Sequence, residues 1–85
     1  MAAKATVEVD VHSAKETAKK MRTDVGNIYA LIKMGYLKPM RLGAQMISNI
    51  EINRFLSQYA GVDLKSEIRL FKRNPEEWRR EYRDL

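Results

Sequence analysis

The chain has 85 residues, no cysteine and a formal net charge of +5 at pH 7. A chain of this length forms one small domain with a thin core, and the lack of cysteine excludes disulfide bonds and cysteine-based zinc sites. No apolar run approaches the roughly 20 residues of a membrane span, and the first residues lack a signal-peptide pattern, so we expect a cytoplasmic protein.

The positive charge is concentrated in the middle of the chain. Residues 13–56 carry eight Lys or Arg against three Asp or Glu, whereas residues 57–85 carry seven against six. A locally basic module favours a polyanionic partner, most simply nucleic acid, but surface charge also serves solubility. The charge alone does not favour a nucleic-acid partner over a role in solubility, or the reverse.

The first element is expected to be an N-terminal arm or a short strand in residues 1–12, because valines alternate with acidic residues at 7–11. Ser13 and Glu16 then have the spacing of a capping box, which predicts the start of a helix. This first helix runs to about Met21, with small and apolar residues at helical spacing on one face.

A second helix is predicted to begin after Asp24, a favourable N-cap residue, and to end before Gly35. Its apolar face consists of Ile28, Leu31 and Ile32. Only about three residues separate it from the first helix. Two short helices joined by so tight a turn indicate a helix-turn-helix.

A small β-hairpin is predicted next, with strands at about 39–42 and 45–48 around Gly43. Ser48 and Glu51 form a second capping-box pattern and open a third helix that ends near Tyr59, with a buried stripe predicted at Ile52, Phe55, Leu56 and Tyr59. The order helix, turn, helix, hairpin, helix is the layout of a small winged helix. Residues 13–60 are therefore predicted to form the principal domain.

Residues 61–85 are predicted to be a helical C-terminal extension. Asn74 followed by Pro75 is a strong helix start. The stripe Trp78, Tyr82 and Leu85 lies on one face of the helix that follows, and it has two interpretations of equal weight. It docks on the protein's own helices, or it binds a protein partner or a second copy of the chain.

Three segments of the chain resemble the excisionase and MerR-like helix-turn-helix modules. They are "HSAKETAKKM", "GNIYALIKMGYLKPMRLG" and "EINRFL", and the resemblance covers residues 11–58. It implies a winged helix-turn-helix that binds double-stranded DNA, with the second helix in the major groove and the hairpin as a wing on the backbone or a neighbouring groove. Members are excision directionality factors of phages and mobile elements, or small transcription regulators.

The chain departs from this family pattern at three places. The usual Leu-Gly-Val turn is replaced by Met21, Arg22 and Thr23, so a basic residue stands where the turn glycine is expected. Val25 and Ala30 occupy positions that are often basic or polar in the family, and the wing tip is one residue shorter. We therefore expect weak intrinsic affinity for DNA, or help from self-association or a partner protein.

The candidate DNA-binding residues lie on the second helix, its preceding turn and the hairpin. The outward face of the helix is predicted to consist of Val25, Gly26, Tyr29, Ala30 and Lys33, and it is nearly free of acids. Asn27, at the flank of this face, either pairs with adenine or supports the turn. Tyr29 either contacts a phosphate or packs against the wing. The full set comprises Arg22, Asp24, Val25, Gly26, Asn27, Tyr29, Ala30, Lys33, Lys38, Arg41 and Gln45.

These observations predict a sequence-preferring DNA-binding protein of the cytoplasm and nucleoid, either an excisionase-like architectural factor or a small transcription regulator. Self-association on DNA, an integrase-type partner or another protein partner is compatible with this function. The alternative is a protein-interaction adaptor that keeps the same fold. No catalytic arrangement, cofactor or metal is predicted, because His12 is the only histidine and cysteine is absent.

Overall fold

The computed structural model describes residues 10–83, and the predictions for residues 1–9 and for Leu85 lie outside this range. Five helices and a small antiparallel sheet make up the described part of the chain, which confirms the prediction of a mainly helical protein with a β-hairpin. In chain order the elements are β1 (Val11–Ser13), α1 (Ala14–Met21), α2 (Val25–Met34), β2 (Met40–Leu42), β3 (Ala44–Ser48), α3 (Asn49–Gln58), α4 (Lys65–Arg73) and α5 (Pro75–Tyr82).

The start of α1 is fixed by the capping box that the sequence predicts. Ser13 Oγ accepts a hydrogen bond from the backbone N–H of Glu16 at 3.1 Å, and the Glu16 carboxylate accepts one from the Ser13 N–H at 2.8 Å. The helix ends at Arg22, which adopts the left-handed conformation with φ +57° and ψ +49°. Arg22 therefore makes the sharp turn into α2 in a conformation that favours glycine.

Helix α2 begins and ends where the sequence predicts. Asp24 is at the N-cap position, although its side chain caps no backbone N–H. Gly35 ends the helix with φ +88°, and the chain turns there so that Leu37 enters the core with 0% exposure. Helices α1 and α2 pack against each other across the three-residue connection.

The predicted hairpin of β2 and β3 is present, and β1 pairs with β3 to make a three-stranded sheet. The strand order is β1-β3-β2, with Val11 opposite Ser48 and Met40 opposite Met46. The first strand therefore continues past the predicted limit at residue 12 and ends at the α1 cap. Because β3 pairs on both sides, β2 is an edge strand, and all three of its residues are exposed.

The start of α3 differs in detail from the prediction. Ser48 Oγ accepts from the Glu51 N–H at 3.0 Å, which is half of a capping box. The Glu51 carboxylate, however, accepts a hydrogen bond from the Lys38 N–H at 2.9 Å and pairs with Arg54. The Glu51 side chain thus ties α3 to the chain that leads into β2, because a charged acceptor is available to both groups.

The principal core lies between α1, α2, α3 and the sheet. Its buried apolar residues are Ala14, Ala18, Ile28, Leu31, Leu37, Ile47, Ile52 and Phe55. Thr17 of α1 is also fully buried, and its hydroxyl donates to the Ser13 carbonyl oxygen at 2.8 Å. The alanines of α1 leave room for α2 to approach closely. The larger side chains of α2, β3 and α3 fill the rest of the core. Leu56, which the sequence stripe places inside, is 49% exposed, so the stripe prediction for α3 is wrong at that position.

The C-terminal extension packs on α2 through a second, smaller cluster. Its buried residues are Ala30, Met34, Leu70 and Trp78. Asn74 caps α5 by accepting from the Glu77 N–H at 3.1 Å, and Pro75 stands in the first turn, as predicted. Glu67 of α4 is buried as well.

Candidate nucleic-acid interface

Helix α2 leaves only a narrow strip open to solvent. Tyr29 is 45% exposed and Lys33 is also exposed, whereas Gly26 is half-buried. We call these three residues the α2 strip. Ala30 is 4% exposed and belongs to the cluster that α2 forms with the C-terminal extension. The prediction that Ala30 faces outward is therefore wrong, because its small side chain lets α4 and α5 pack closely.

Asn27 is engaged at both ends of its side-chain amide. Its Nδ2 donates to Thr23 Oγ1 at 2.7 Å, and its Oδ1 accepts from Lys72 Nζ at 2.7 Å. Pairing with adenine would need both the amide donor and the amide acceptor. The structure thus places Asn27 between the α1–α2 turn and α4, with its amide committed to protein partners.

The space above Gly26 is occupied by the extension. A Cβ atom added at Gly26 would lie 3.5 Å from Lys72 Nζ, which is ordinary van der Waals contact. Phe71, Lys72 and Pro75 line a concavity together with Gly26 and other residues of α2. The lysine of α4 therefore crosses the first turn of α2 at Gly26, at a distance that would also accommodate a Cβ atom.

The remaining candidates near the start of α2 occupy different environments. Val25 is half-buried and packs against the principal core, so the prediction that it faces outward is wrong. Arg22 and Asp24 are exposed, and both line a concavity beside α1 with Lys19 and Thr23. Arg22 is accordingly placed on the open side of the α1–α2 turn.

The polar candidates of the hairpin lie on β2, on β3 and in the segment that leads into β2. Arg41 is exposed in the middle of β2 and lies opposite Gln45, which is half-buried in β3. Leu42 is 63% exposed at the tip. The Lys38 side chain is exposed, while its backbone is fixed by Glu51. The edge strand β2 therefore carries a solvent-exposed cation.

The C-terminal extension adds cations beside α2 that sequence reasoning missed. Lys65 lines a concavity with Thr23 and Asn27, near the start of α2. Lys72 lines the next concavity, which also includes Lys33. At the other end of α2, Lys33 shares a concavity with Arg79 and Arg83. The charge-mixed composition of residues 57–85 had hidden these basic side chains.

Arg79 and Arg83 differ in how firmly their side chains are held. Arg83 Nη1 donates to the Met34 carbonyl oxygen at 2.7 Å, and its guanidinium carbon lies 5.9 Å from the centre of the Trp78 ring. Arg79 Nη1 makes an exposed ion pair with Glu76 at 3.3 Å. Exposed pairs of this kind contribute little free energy, so Arg79 is free to exchange partners. Arg83 instead has a structural role at the end of α2.

A buried carboxylate fastens the extension to the principal domain. Glu67 Oε2 accepts hydrogen bonds from Trp78 Nε1 at 2.9 Å and from the Tyr36 hydroxyl. Burial raises the pKa of Tyr36, and the hydrogen bond and charge of Glu67 raise it further. The Tyr36 phenol therefore stays protonated and keeps donating. We call Tyr36, Glu67 and Trp78 the tail clamp.

The tail clamp decides between the two interpretations of the C-terminal stripe for Trp78. The indole is 2% exposed, so it docks on the protein's own helices and presents no surface to a partner. The prediction of Trp78 as a partner-binding residue is wrong for the docked extension. Tyr82 is 43% exposed, and Leu85 lies outside the described residues.

The described residues 10–83 contain no group of three His, Cys, Asp or Glu that could hold a metal ion. Within the same range, every helix is too short or too polar to cross a membrane. Comparison of the chain with protein-family models gives no match, and comparisons with curated proteins and with solved structures give no significant match either. The candidate interface is therefore argued from its own geometry.

Proposed function

We propose that the protein is a winged helix-turn-helix that binds double-stranded DNA, with α2 as the recognition helix and the β2–β3 hairpin as the wing. The observation that carries this proposal is the α2 strip, a narrow open surface between two packed faces, bordered by basic side chains at both ends. A hairpin whose edge strand carries the exposed Arg41 follows it in the chain. The sequence resemblance described above supports the same assignment.

The α2 strip has the chemistry of a surface that approaches a groove. Gly26 adds no bulk, Tyr29 offers a hydroxyl and a ring, and Lys33 offers a flexible positive charge. The strip contains no carboxylate that would repel phosphates. Tyr29 and Lys33 are therefore assigned to phosphate or groove-edge contacts, and Arg41 is assigned to the backbone beside the wing.

This surface predicts binding dominated by phosphate contacts rather than by base readout. Asn27 is committed to protein partners and Ala30 is buried, so two of the candidate base-contacting residues do not serve that role in the described conformation. Phosphate contacts position a protein on DNA but carry little sequence information. The proposal is accordingly a modest sequence preference that increases when several copies bind neighbouring sites.

Such behaviour fits an excisionase-like architectural factor, and it also fits a small transcription regulator that uses repeated sites. The adaptor alternative rested on the uncharged Val25 and Ala30 and on the stripe of Trp78, Tyr82 and Leu85, and of that stripe Trp78 is buried while Tyr82 is exposed. We therefore propose the DNA-binding function. Electrophoretic mobility shifts on duplexes with one, two and three tandem sites will show whether the second and third copies bind more tightly than the first.

The proposal is tested by fluorescence anisotropy with labelled duplex DNA over a range of salt concentrations. Each cation that neutralises a phosphate contributes about 0.9 to the slope of log affinity against log salt. Lys33→Gln and Arg41→Gln should each reduce the slope by about that amount, and Lys20→Gln on α1 is the matched control. A wild-type protein that ignores DNA at low salt, or binds it without salt dependence, overturns the proposal.

A further inference from the structure

The C-terminal extension brings positive charge to both ends of α2. From Lys65 to Arg83 it contains seven Lys or Arg against four Glu. Three of these cations line concavities shared with α2: Lys65 and Lys72 towards its start, and Arg79 towards its end. We call these three residues the tail cations. They lie beside α2, whose residues Val25 and Ala30 carry no charge.

Lys72 is held in place without being neutralised. Its ammonium group donates to Asn27 Oδ1 at 2.7 Å, and the other end of that amide is fixed by Thr23 Oγ1. Within residues 10–83, no carboxylate lies at ion-pair distance from Lys72. A neutral amide orients the lysine but leaves its full charge for an anion, because an amide oxygen carries only a partial charge.

Lys72 also lies close to the first turn of α2. Its ammonium group is 3.5 Å from the position that a Cβ atom of Gly26 would occupy, which is an ordinary van der Waals distance. Lys72 remains exposed to solvent while it makes these contacts. Its charge is thus presented beside the first turn of α2, close to the open Tyr29 and Lys33 positions of the same helix.

We infer that α4 and α5 form part of the DNA interface, with the tail cations binding phosphates near the two ends of α2 and Asn27 acting as a positioning residue for Lys72. This inference rests on the proposed DNA-binding function. It assigns to the extension the positive charge that Val25 and Ala30 do not supply. The extension covers the Ala30 side of α2 and the space above Gly26, but it leaves Tyr29 and Lys33 open, so it borders the α2 strip without closing it.

The first test compares charge-removing variants of the full chain in the same anisotropy assay. Lys72→Gln and Arg79→Gln should each lower the salt slope by about 0.9 and weaken binding several-fold at 0.1 M salt. Arg73→Gln and Arg80→Gln are matched controls, since both residues are exposed cations of the same two helices outside the tail cations. Equal losses in the test variants and the controls overturn the inference.

The second test concerns the role of Asn27. If Asn27 positions Lys72, Asn27→Ala weakens binding to all duplex sequences alike, and adding Lys72→Gln to it causes little further loss. If Asn27 reads a base, Asn27→Ala instead changes the preferred sequence and its effect adds to that of Lys72→Gln. The second result overturns the positioning role.

The third test uses the ion pair that competes for Arg79. Glu76→Gln removes the carboxylate that lies 3.3 Å from the Arg79 guanidinium. The variant should bind DNA more tightly and with a steeper salt slope, whereas Glu81→Gln on the same helix should change both less. Unchanged binding in Glu76→Gln contradicts the assignment of Arg79.

The failure of this inference is distinguishable from the failure of the proposed function. If the wild-type protein binds no DNA, the proposed function fails. If it binds DNA and only Lys33→Gln and Arg41→Gln weaken it, the function stands and the extension is excluded from the interface. Double-stranded RNA of the same length serves as a second probe, and equal or tighter binding to it overturns the assignment to DNA.

Discussion

The two buried clusters of the described chain are built on different principles. The principal core joins three helices and the sheet mainly through apolar side chains, and the hydroxyl of the buried Thr17 is satisfied locally by donating to the Ser13 carbonyl oxygen. The cluster under the extension has only four buried apolar residues, and a carboxylate completes it: Glu67 accepts from Tyr36 and Trp78. Attachment of the extension therefore depends on a few specific contacts, whereas the core depends on the total area it buries.

Helix α2 belongs to both clusters. Ile28 and Leu31 face the principal core, while Ala30 and Met34 face the extension. A helix that packs on one side only leaves most of its surface open to solvent. Helix α2 packs on two sides, so only the α2 strip remains open. The comparison teaches that the open surface of α2 is defined as much by the extension as by the principal domain.

Trp78→Ala has the largest expected effect, and it should destabilise the extension much more than the principal core. Removing a buried indole costs about 3–5 kcal/mol of unfolding free energy, and it also leaves Glu67 with one donor fewer. We expect amide protection in α4 and α5 to fall most, while protection in α1 and β3 is largely retained. Hydrogen exchange read by mass spectrometry measures this difference.

Trp78→Phe is the matched control for that experiment. It keeps most of the apolar volume but removes the Nε1 donor to Glu67, so it isolates the hydrogen bond of the tail clamp. We expect a loss of about 1–3 kcal/mol, again concentrated in the extension. A uniform loss of protection across residues 10–83 in both variants would show that the two clusters unfold as one unit.

Glu51→Gln should weaken the principal domain in a pH-dependent way. The Arg54 guanidinium lowers the pKa of Glu51, and the Lys38 backbone N–H lowers it further, although burial opposes both. The ionised carboxylate thus contributes stability above the pKa of about 4.3 that an unfolded Glu has, and the contribution is lost as pH falls through the lower folded value. At pH 7 the substitution should cost about 1–2 kcal/mol.

Urea unfolding at a series of pH values checks this expectation. The parent should lose stability faster than Glu51→Gln as the pH decreases below about 4.5, so the two curves converge in acid. Glu76→Gln, which alters an exposed pair, is the control and should follow the parent closely. A constant difference between parent and Glu51→Gln at every pH contradicts the assigned ionisation.

Local signals in the sequence predicted much of the principal domain. The Ser13 and Ser48 caps, the Gly35 helix end and the hairpin around Gly43 depend on residues close in the chain, and all four are present. The pairing of β1 with β3 joins residues more than thirty positions apart, beginning with Val11. Local patterns carry no information about which distant strand a short strand joins.

The candidate site was predicted less well, for the same physical reason. Ala30 suits either close packing of a helix or close approach to DNA, and only the position of the extension decides between them. The burial of Glu67 depends on Tyr36 and Trp78 meeting it from two other segments. Likewise Asn27 and Lys72, which form a hydrogen bond, are 45 positions apart in the sequence, so helical periodicity cannot predict their contact.

Arg22→Gly should stabilise the principal domain, because Arg22 holds a left-handed conformation that glycine adopts without steric cost. After allowance for the greater freedom of an unfolded glycine, the gain is about 0.5–1 kcal/mol. Arg22→Ala is the control, since it removes the same charge but keeps the strain. Equal midpoints of urea unfolding for the two variants would contradict the backbone explanation.

Gly26→Ala has the smallest expected effect and tests the residue shared by α2 and the extension. The added Cβ meets only the mobile end of Lys72 at 3.5 Å, and alanine favours a helix, so stability should increase by about 0.5 kcal/mol. Gly26→Glu and Gly26→Gln then separate bulk from charge. A carboxylate beside Lys72 would neutralise it, so Gly26→Glu should lose more DNA affinity and more salt slope than Gly26→Gln. If the two variants lose equally, the small residue serves close approach of DNA and not the lysine of α4.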